Sequence, residues 1–597
     1  MTRRATALVA LLLALFCGLA LDSMRRKSVT TDEIAYLTAG YYHWRTGDFS
    51  FNATNPPLMK LLSAVPLLVL RPSLPPVEGD PGRWNEIEQW HYARRFLYEN
   101  RVDADTILWW ARIPTVVVGV LLGLLVFSFA RALYGTRGGL LALFLYALSP
   151  NILAHTRLAT QDLALSACML WAARAFWGFT RAPSWRGAVH SGLAVGAAVA
   201  TKSTAMFFLP IFALYGGVLL LRADRDAVWP LSWVRRAAAT RPRVGILLSL
   251  LTALMVMVPV ALLVLNAAYL FTDPFRSLAS LTDDPQKLLK RLHVLGTPLA
   301  SPVAALTRLP LPLPGPFLEL LSFQFGRVSS GNTIYFCGET SRRGWYWMMG
   351  VAFLIKTPLP TLALLGATLW GLLRRRSNAE WLLLITAGFV LLLFSYLRSV
   401  CIGLRYILPV FPCLFVLIGG LARDGGPLDG TLPTVRLRVA RAGLGLLLAG
   451  YAAGAAWVHP HYLAHFNPLV GGPSQGYRYL ADSFLDWGQD LPGLRDYMLR
   501  NGLKRIRLAY FGSADARHYG IDYEYLPSVG LAPRDGGRWW YESSEPLPPL
   551  DLSRGPIAVS ATLLAGVFLP GYYAPLRKRT PAAQIGYTIL IYQPSKD

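Results

Sequence analysis

Charged residues are scarce in this chain: Asp, Glu, Lys and Arg make up only 15% of its 597 residues, against 54% hydrophobic residues. A soluble protein of this length needs more charge to cover its surface, so the composition excludes an ordinary soluble globular protein. Cysteine is also scarce: three of the five cysteines, Cys17, Cys168 and Cys413, fall in apolar runs, and Cys337 and Cys401 could pair, although we do not expect that disulfide. Walker, CxxC and HExxH motifs are absent, which argues against the enzymes that they mark.

Long apolar runs fill most of the sequence instead. Most have the roughly 17 to 25 residues that cross a bilayer as a helix, and two, Gly138–Ser149 and Gly187–Ala200, are shorter. Together they predict a polytopic α-helical membrane protein with about eleven transmembrane helices. We expect the first run to be a span, although Gly18-Leu19-Ala20 would also suit signal cleavage. The predicted spans are Ala5–Leu21, Leu108–Ala130, Gly138–Ser149, Leu163–Phe179, Gly187–Ala200, Ala205–Leu221, Val244–Ala268, Thr357–Leu373, Trp381–Leu397, Tyr406–Ala422 and Ala442–Val458.

Arginines concentrate in alternate connections between these runs. By the positive-inside rule these connections are cytoplasmic, as is the N-terminus. The outer segments are then 22–107, 150–162 and 269–343, together with everything after Val458. Much of the net charge of +24 lies in the inner loops, so we expect contact with membrane lipids and no nucleic acid. The inner-loop arginines include Arg131, Arg137, Arg181, Arg186 and Arg374 to Arg376.

The apolar runs stop after Val458, and short β-like stretches such as "RIRLAYFG" and "YTILIYQ" follow. Their alternating pattern, beside a helical pattern around Leu491 to Leu499, predicts a small α/β fold. We therefore expect two domains: a transmembrane domain over 1–458 and an outward-facing soluble domain over 459–597.

Two adjacent acids, Asp32 and Glu33, follow the first apolar run in "TTDEIAYLTAG". Thr30 and Glu33 have the spacing of a capping box, in which the glutamate accepts a hydrogen bond from the N-cap amide. Asp32 would then only complement the helix dipole. The alternative is chemistry at the membrane surface. Since the cap explains Glu33 better than Asp32, Asp32 is the stronger catalytic candidate.

A third acid, Asp162, lies where the second outer segment re-enters the membrane, in "HTRLATQDLALSA". An acid at the lip of a span is costly and usually has a partner, although a helix cap is the alternative. His155 and Arg157, just before it, are candidates for binding an anion or a sugar hydroxyl.

Several cations lie near the outer ends of spans, where the positive-inside rule predicts few. Any one of them could snorkel without a further role. Several beside outer carboxylates predict a site for a membrane-borne phosphate. These cations are Lys60, Lys202, Lys356, Arg398 and Arg405.

Several longer stretches carry a family resemblance. They include "DEIAYLTAGYYHW", "AHTRLATQD", "FLIKTPLP", "LRYILPVFP" and "DSFLDWGQDL". Over nearly its whole length the chain resembles bacterial membrane glycosyltransferases of the protein O-mannosyltransferase-like group (family 39), which have the GT-C architecture. The last stretch marks the bacterial subgroup.

The resemblance implies transfer of a sugar, a hexose or a pentose, from a polyprenyl-phosphate-linked donor to a glycan, lipid or protein acceptor at the outer face of the bacterial cytoplasmic (inner) membrane. It implies that Asp32 is the catalytic carboxylate, that Glu33 is its neighbour in the site, and that Asp162 is the acid of the second loop. Lys60 would contact the carrier phosphate, and Asn55 is a substrate-binding candidate. No role follows for Asp482 to Leu491.

Two other functions stay open. A lipid-linked glycan transporter or translocase would carry charges through the bilayer midplane, and Lys356 would fit it if its helix were continuous from Trp345 to Leu373. A non-catalytic membrane assembly protein would bind a partner through its outer domain. No cofactor is firmly implied, while the three carboxylates could hold a divalent cation.

Overall fold

The computed structural model of the protein describes residues 2–77, 84, 86–281, 297, 300–372, 377–426, 433–529, 547 and 549–594. Helices dominate this part of the chain. They are α1 Arg3–Arg25, α2 Thr31–Thr46, α3 Leu58–Leu70, α4 Glu86–Tyr98, α5 Ala104–Ala147, α6 Pro150–Thr156, α7 Gln161–Arg181, α8 Trp185–Thr201, α9 Phe208–Arg222, α10 Ser232–Thr240, α11 Pro242–Ala268, α12 Ala300–Thr307, α13 Gly315–Ser330, α14 Met348–Lys356, α15 Leu359–Leu372, α16 Asn378–Tyr396, α17 Val410–Gly419, α18 Thr434–Val458, α19 Leu491–Arg500, α20 Ala561–Leu564 and α21 Ala574–Arg577.

Strands form two small sheets. One is a hairpin of β1 and β2, and the other has five strands in the order β4-β3-β5-β7-β6. In the larger sheet β4, β3 and β5 are parallel, whereas β7 pairs antiparallel with both β5 and β6. The strands are β1 Ile334–Phe336, β2 Glu339–Ser341, β3 Ile506–Ala509, β4 Tyr523–Tyr525, β5 Ile557–Ser560, β6 Ala583–Ile585 and β7 Ile589–Tyr592.

Seven of the described helices are long and apolar enough to cross a membrane, or up to eight if the bent pair α14 and α15 is one span. The expected fold class is therefore confirmed: the chain is a multi-pass helical membrane protein with a small sheet region near its C-terminus. The expected count of eleven spans is not confirmed: α8 and α17 are too short to be counted as spans, and two predicted spans lie within the single range of α5, which is counted once. The expected cations Arg374 to Arg376 lie outside the described residues.

The 44-residue α5 is a hairpin of two helices rather than one long rod. Gly135 has a non-helical backbone, with φ 83° and ψ −175°, a conformation that glycine adopts readily. Beyond this turn the chain packs back on itself, and the Tyr146 hydroxyl donates to the Gly119 carbonyl at 2.5 Å. The predicted spans Leu108–Ala130 and Gly138–Ser149 correspond to its two arms.

The chain breaks sharply between α14 and α15, which meet at 112°. Thr357 is extended, with φ −95° and ψ 131°, because a residue that precedes proline is disfavoured in the helical region. The continuous helix from Trp345 to Leu373 that a transporter role for Lys356 would need is not formed.

The start of α2 is fastened to the C-terminal region. The amides of Ser28 and Thr31 donate to the carbonyls of Gln489 and Trp487, at 3.1 and 3.0 Å. Lys27 makes a buried ion pair with Asp490. These contacts fix where the first turn of α2, and therefore Asp32, lies relative to the sheet region.

Helix α3 crosses α2 at very close range. A Cβ atom on Gly40 would lie 1.9 Å from the carbonyl oxygen of Lys60, so only glycine fits at this crossing. The close approach brings the connection between α2 and α3 against the face of α2 that carries Tyr36, and both contribute to the cavity described next.

Candidate functional site

A cavity of about 1090 Å³ lies among the first turns of α2 and α7, the segment that follows α8, and the turn Leu404–Ile407. Part of its wall is ionic and part is apolar. Six charged residues line the cavity: Asp32, Asp162, Lys202, Arg405, Glu319 and Arg327. Apolar residues in the wall include Met206, Phe207, Pro210, Phe394, Leu397 and Val400.

Asp32 and Arg405 form the first ion pair in this wall. The Arg405 Nη1 donates to Asp32 Oδ2 at 2.5 Å, and the two side chains are 9% and 23% exposed. The guanidinium lies over the ring of Trp487, 4.5 Å from its centroid, which keeps it directed at the carboxylate. Asp32 keeps enough exposure to meet a substrate.

Asp162 and Lys202 form the second pair. Lys202 Nζ donates to Asp162 Oδ1 at 2.7 Å, and both side chains are nearly buried. Asp162 is in the first turn of α7, while Lys202 is extended, with φ −153°, where α8 ends. The Lys202 ammonium lies 5.0 Å from the centroid of the Tyr406 ring, and the Arg405 guanidinium lies 5.6 Å from the same centroid. Tyr406 therefore lies near both cations. The structure brings Asp32, Asp162, Lys202 and Arg405 together in the lining of one cavity.

Glu33, by contrast, points away from the cavity. It completes the expected capping box and accepts from Arg112 Nε and Nη2, each at 2.7 Å, and from the Ala159 amide at 2.8 Å. Burial alone would raise the pKa of Glu33, but the Arg112 guanidinium and the backbone donors hold it below its usual value. Its contacts are those of a structural ion pair, and it is absent from the cavity wall.

Of the two candidates near the start of α3, Asn55 lines the cavity and Lys60 does not. Asn55 lines the cavity, where its amide donates to the Tyr36 hydroxyl at 3.2 Å. Lys60 is buried and does not line it; its ammonium donates to the carbonyls of Asn52 and Asn55, at 2.5 and 2.9 Å. The lysine therefore shapes the connection between α2 and α3 that forms part of the wall.

The other three expected residues lie behind the wall. Lys356 is buried and donates to the carbonyls of Leu463 and Phe484. His155 and Arg157 are fully buried on α6 and just after it. Burial lowers the pKa of His155 to about 4, so its imidazole is neutral at pH 7. None of the three reaches the cavity.

The stretch that starts at Asp482 supplies support that sequence reasoning did not assign. Trp487 stacks on Arg405, and its carbonyl accepts from the backbone of Thr31 next to Asp32. Asp482 has φ 54°; its carboxylate accepts from the Ser483 amide, and its own backbone amide donates to the Thr562 hydroxyl. Burial raises the pKa of Asp482 to about 7, with Arg405 lowering it and Asp32 raising it. In the sequence, the only indication that this stretch matters was the length of "DSFLDWGQDL" as a shared family motif.

Among the residues that the structure describes, no group of three or more His, Cys, Asp or Glu side chains is arranged to hold a metal ion. Asp32 and Asp162 each have a cationic side chain as their partner instead.

Comparison with known proteins gives one family match. Residues 104–262 match the family model described as dolichyl-phosphate-mannose-protein mannosyltransferase. This confirms, over that segment, the resemblance seen in the sequence. The segment includes α7 and Lys202, and therefore one of the two ion pairs. A search of curated proteins finds no match.

Solved structures give weaker likenesses. ArnT from Cupriavidus metallidurans bound to undecaprenyl phosphate is 14% identical, with 98% of each chain covered and a TM-score of 0.43. The apo form of ArnT from that organism is 16% identical, with 84% of this chain and 73% of that chain covered and a TM-score of 0.39. Oligosaccharyltransferase AglB from Archaeoglobus fulgidus, in complex with an inhibitory peptide and a dolichol-phosphate, is 13% identical, with 77% and 58% covered and a TM-score of 0.40.

Proposed function

We propose that this chain is a glycosyltransferase that moves a sugar, a hexose or a pentose, from a polyprenyl-phosphate carrier to a hydroxyl group of an acceptor. One observation carries the proposal: two carboxylate–cation pairs lie in the wall of one cavity whose remaining wall is partly formed by apolar residues of spanning helices. The family match to transferases that take mannose from a lipid phosphate agrees with it.

The mixed wall suits a donor with an oily tail and an anionic head. Met206 and Phe207 are 43% and 36% exposed, at the start of the span Ser203–Arg222. A prenyl tail can lie on this apolar surface while its phosphate reaches Lys202, only a few residues away. Arg405, on the same wall, supplies further N–H groups that can hydrogen-bond to the phosphate oxygens.

The proposed reaction needs a base and a stabilised leaving group. Asp32 takes the proton of the acceptor hydroxyl as its oxygen bonds to the anomeric carbon. The bond from that carbon to the phosphate oxygen breaks, and the electron pair leaves with the phosphate, whose charge Lys202 and Arg405 stabilise. Asp162 acts as a positioning residue that holds Lys202.

The Asp32–Arg405 pair implies that the donor binds before Asp32 takes the proton. While Arg405 donates to Asp32, it stabilises the ionised carboxylate and weakens it as a base. When the carrier phosphate arrives, it competes for the guanidinium, and a carboxylate released from its cation is a stronger proton acceptor. Donor binding therefore prepares the base.

We further propose that the cavity opens at the outer face of the cytoplasmic membrane, with the N-terminus inside. The arginine-rich connections support this orientation by the positive-inside rule, and a lipid-linked donor requires a site at the bilayer surface. The division into a transmembrane domain over 1–458 and an outer domain over 459–597 belongs to the same proposal.

The test is sugar transfer by the purified full chain in lipid nanodiscs, supplied with a panel of undecaprenyl-phosphate hexoses and pentoses and with membrane glycans and lipids as acceptors. Release of undecaprenyl phosphate is measured by mass spectrometry. We expect Asp32→Asn to abolish release from the active donor and Asp22→Asn to leave it unchanged, because Asp22 pairs with Arg26 outside the cavity.

Full activity of Asp32→Asn would remove the base assignment. Failure of the wild-type chain to bind undecaprenyl phosphate, in the same nanodiscs, would remove the donor assignment and favour the assembly alternative, since a transporter of lipid-linked glycans would also bind the carrier.

A further inference from the structure

A second cavity, of about 390 Å³, lies where the ends of α1 and α5 meet α19. It shares no lining residue with the first cavity, and no step of the proposed reaction uses it. Its volume is at the lower end of the range for small-molecule sites. We call it the junction cleft.

The junction cleft is strongly cationic. Its lining includes four cations, Arg25, Lys27, Arg112 and Arg495, against one acid, Asp105. The acid is already engaged, since it lies 3.4 Å from His518 Nε2 and accepts from the Tyr519 hydroxyl at 3.2 Å. The lining therefore favours an anion.

The four cations are not equally available. Lys27 and Arg112 form the buried floor, where their charges are matched by Asp490 and Glu33. Arg495 forms an ion pair with the neighbouring Asp496, in which Nη2 lies 2.6 Å from Oδ1. Arg25 is exposed, its guanidinium lies 5.2 Å from the centroid of the Trp109 ring, and no carboxylate of the described residues forms an ion pair with it. Of the four cations, Arg25 is therefore the one whose charge is not matched by a described carboxylate.

The location of the cleft identifies the source of the anion. Arg25 ends α1 and Trp109 lies in the second turn of α5, and both helices have the length and apolarity of a membrane span. Trp110, also in the lining, is 44% exposed. Tryptophans concentrate where a span leaves the hydrocarbon for the headgroup layer. The cleft therefore opens at the level of lipid headgroups.

We propose that the junction cleft binds the headgroup phosphate of an anionic bilayer lipid, with Arg25 as its principal contact, Arg495 at the rim and the two tryptophans beside the glycerol and upper acyl carbons. The lipid would connect the spans α1 and α5 to α19. This site is independent of the proposed transfer reaction and holds whether or not that reaction is confirmed.

The adjacent arginines supply a matched pair of variants for the test. Arg26 differs from Arg25 by one position and is also exposed, but it pairs with Asp22 and does not line the cleft. Arg25→Gln and Arg26→Gln remove the same charge at the same membrane level. The full chain is purified in detergent and mixed with phosphatidylglycerol or phosphatidylcholine of equal chain length, and retained lipid is counted by native mass spectrometry.

We expect the wild-type chain to retain phosphatidylglycerol in preference to phosphatidylcholine. Arg25→Gln should weaken that retention about fivefold, the usual contribution of one arginine near an anionic surface, and Arg26→Gln should retain it as the wild type does. Equal loss in both variants would show general charge attraction, and no loss in Arg25→Gln would show another site; either overturns the proposal. Displacement of phosphatidylglycerol by excess inorganic phosphate would show that the cleft recognises free phosphate, and would overturn the lipid assignment.

Discussion

Asp32 and Glu33 are neighbours in sequence, yet the structure predicts different effects of replacing each by its amide. We expect Glu33→Gln to reduce the stability of the fold and Asp32→Asn to reduce sugar transfer. Glu33 is fully buried and compensates the buried Arg112. In Glu33→Gln the guanidinium keeps its charge without a counter-charge, and one carboxylate oxygen becomes an NH₂ group that faces its donors. Removing one partner of a buried ion pair costs about 3–5 kcal/mol.

Asp32→Asn is a milder change for the fold. The carboxylate is 23% exposed and both partners line the cavity, so solvent in the cavity screens this pair, although Arg405 itself is only 9% exposed. The capping box does not depend on Asp32, because Thr30 and Glu33 make the cap. We expect Asp32→Asn to lose less stability than Glu33→Gln, whose ion pair is fully buried, and to lose sugar transfer.

The assay is the free energy of unfolding in mixed detergent micelles, followed by tryptophan fluorescence, with transfer measured on the same preparations. Asp22→Asn serves as the control for an acid-to-amide change at the same membrane level. Equal stability of Glu33→Gln and the wild type, or a loss in Asp32→Asn as large as that in Glu33→Gln, would refute this division of roles.

Three more predictions follow from the site and its surroundings. Lys202→Gln should weaken binding of undecaprenyl phosphate at least about tenfold, since a hydrogen bond to a charged group contributes roughly 1.5–3 kcal/mol; equal affinity by native mass spectrometry would remove Lys202 from the donor site. Asp482→Asn should gain stability over the wild type as pH rises from about 4 to 7, because the folded state holds the pKa of this carboxyl at about 7 while the unfolded chain ionises near 3.9; asparagine also tolerates its positive φ, and a stability difference that is constant with pH would contradict the assignment. Cys337 is exposed beside β1, so a membrane-impermeant maleimide should label intact cells and fail on Cys337→Ser; labelling only after lysis would reverse the proposed orientation.

Composition was sufficient for the broad fold, because the apolar runs predicted most spanning helices. Asp162, Lys202 and Arg405 were named as candidates because each is an ionic group near the end of an apolar run, where an unpaired charge is costly. Asp32 was named because the capping box explains Glu33 better than it explains Asp32. The structure places these four side chains in the wall of one cavity, and their roles stay predictions.

Residues behind the wall could not be separated from those on it, because the direction of a side chain depends on distant partners. Lys356 was expected at the rim, but its acceptors are carbonyls of Leu463 and Phe484, more than a hundred positions away. Lys60 likewise contacts backbone carbonyls that only the folded connection between α2 and α3 presents. The role of Trp487 depends on its contact with Arg405, which no local pattern encodes.

The fastening of Ser28 and Thr31 to Trp487 and Gln489 has a consequence for biogenesis. A ribosome delivers residue 28 long before residue 489, so the acceptors for these amides are made only after most of the spans have been inserted. Until then the beginning of α2 has no fixed position, and Asp32 has neither its stacked arginine nor its final orientation. The wall around Asp32 is thus completed only after residue 489 has been made, and a chain interrupted before residue 482 would enter the bilayer without the contacts that position Asp32.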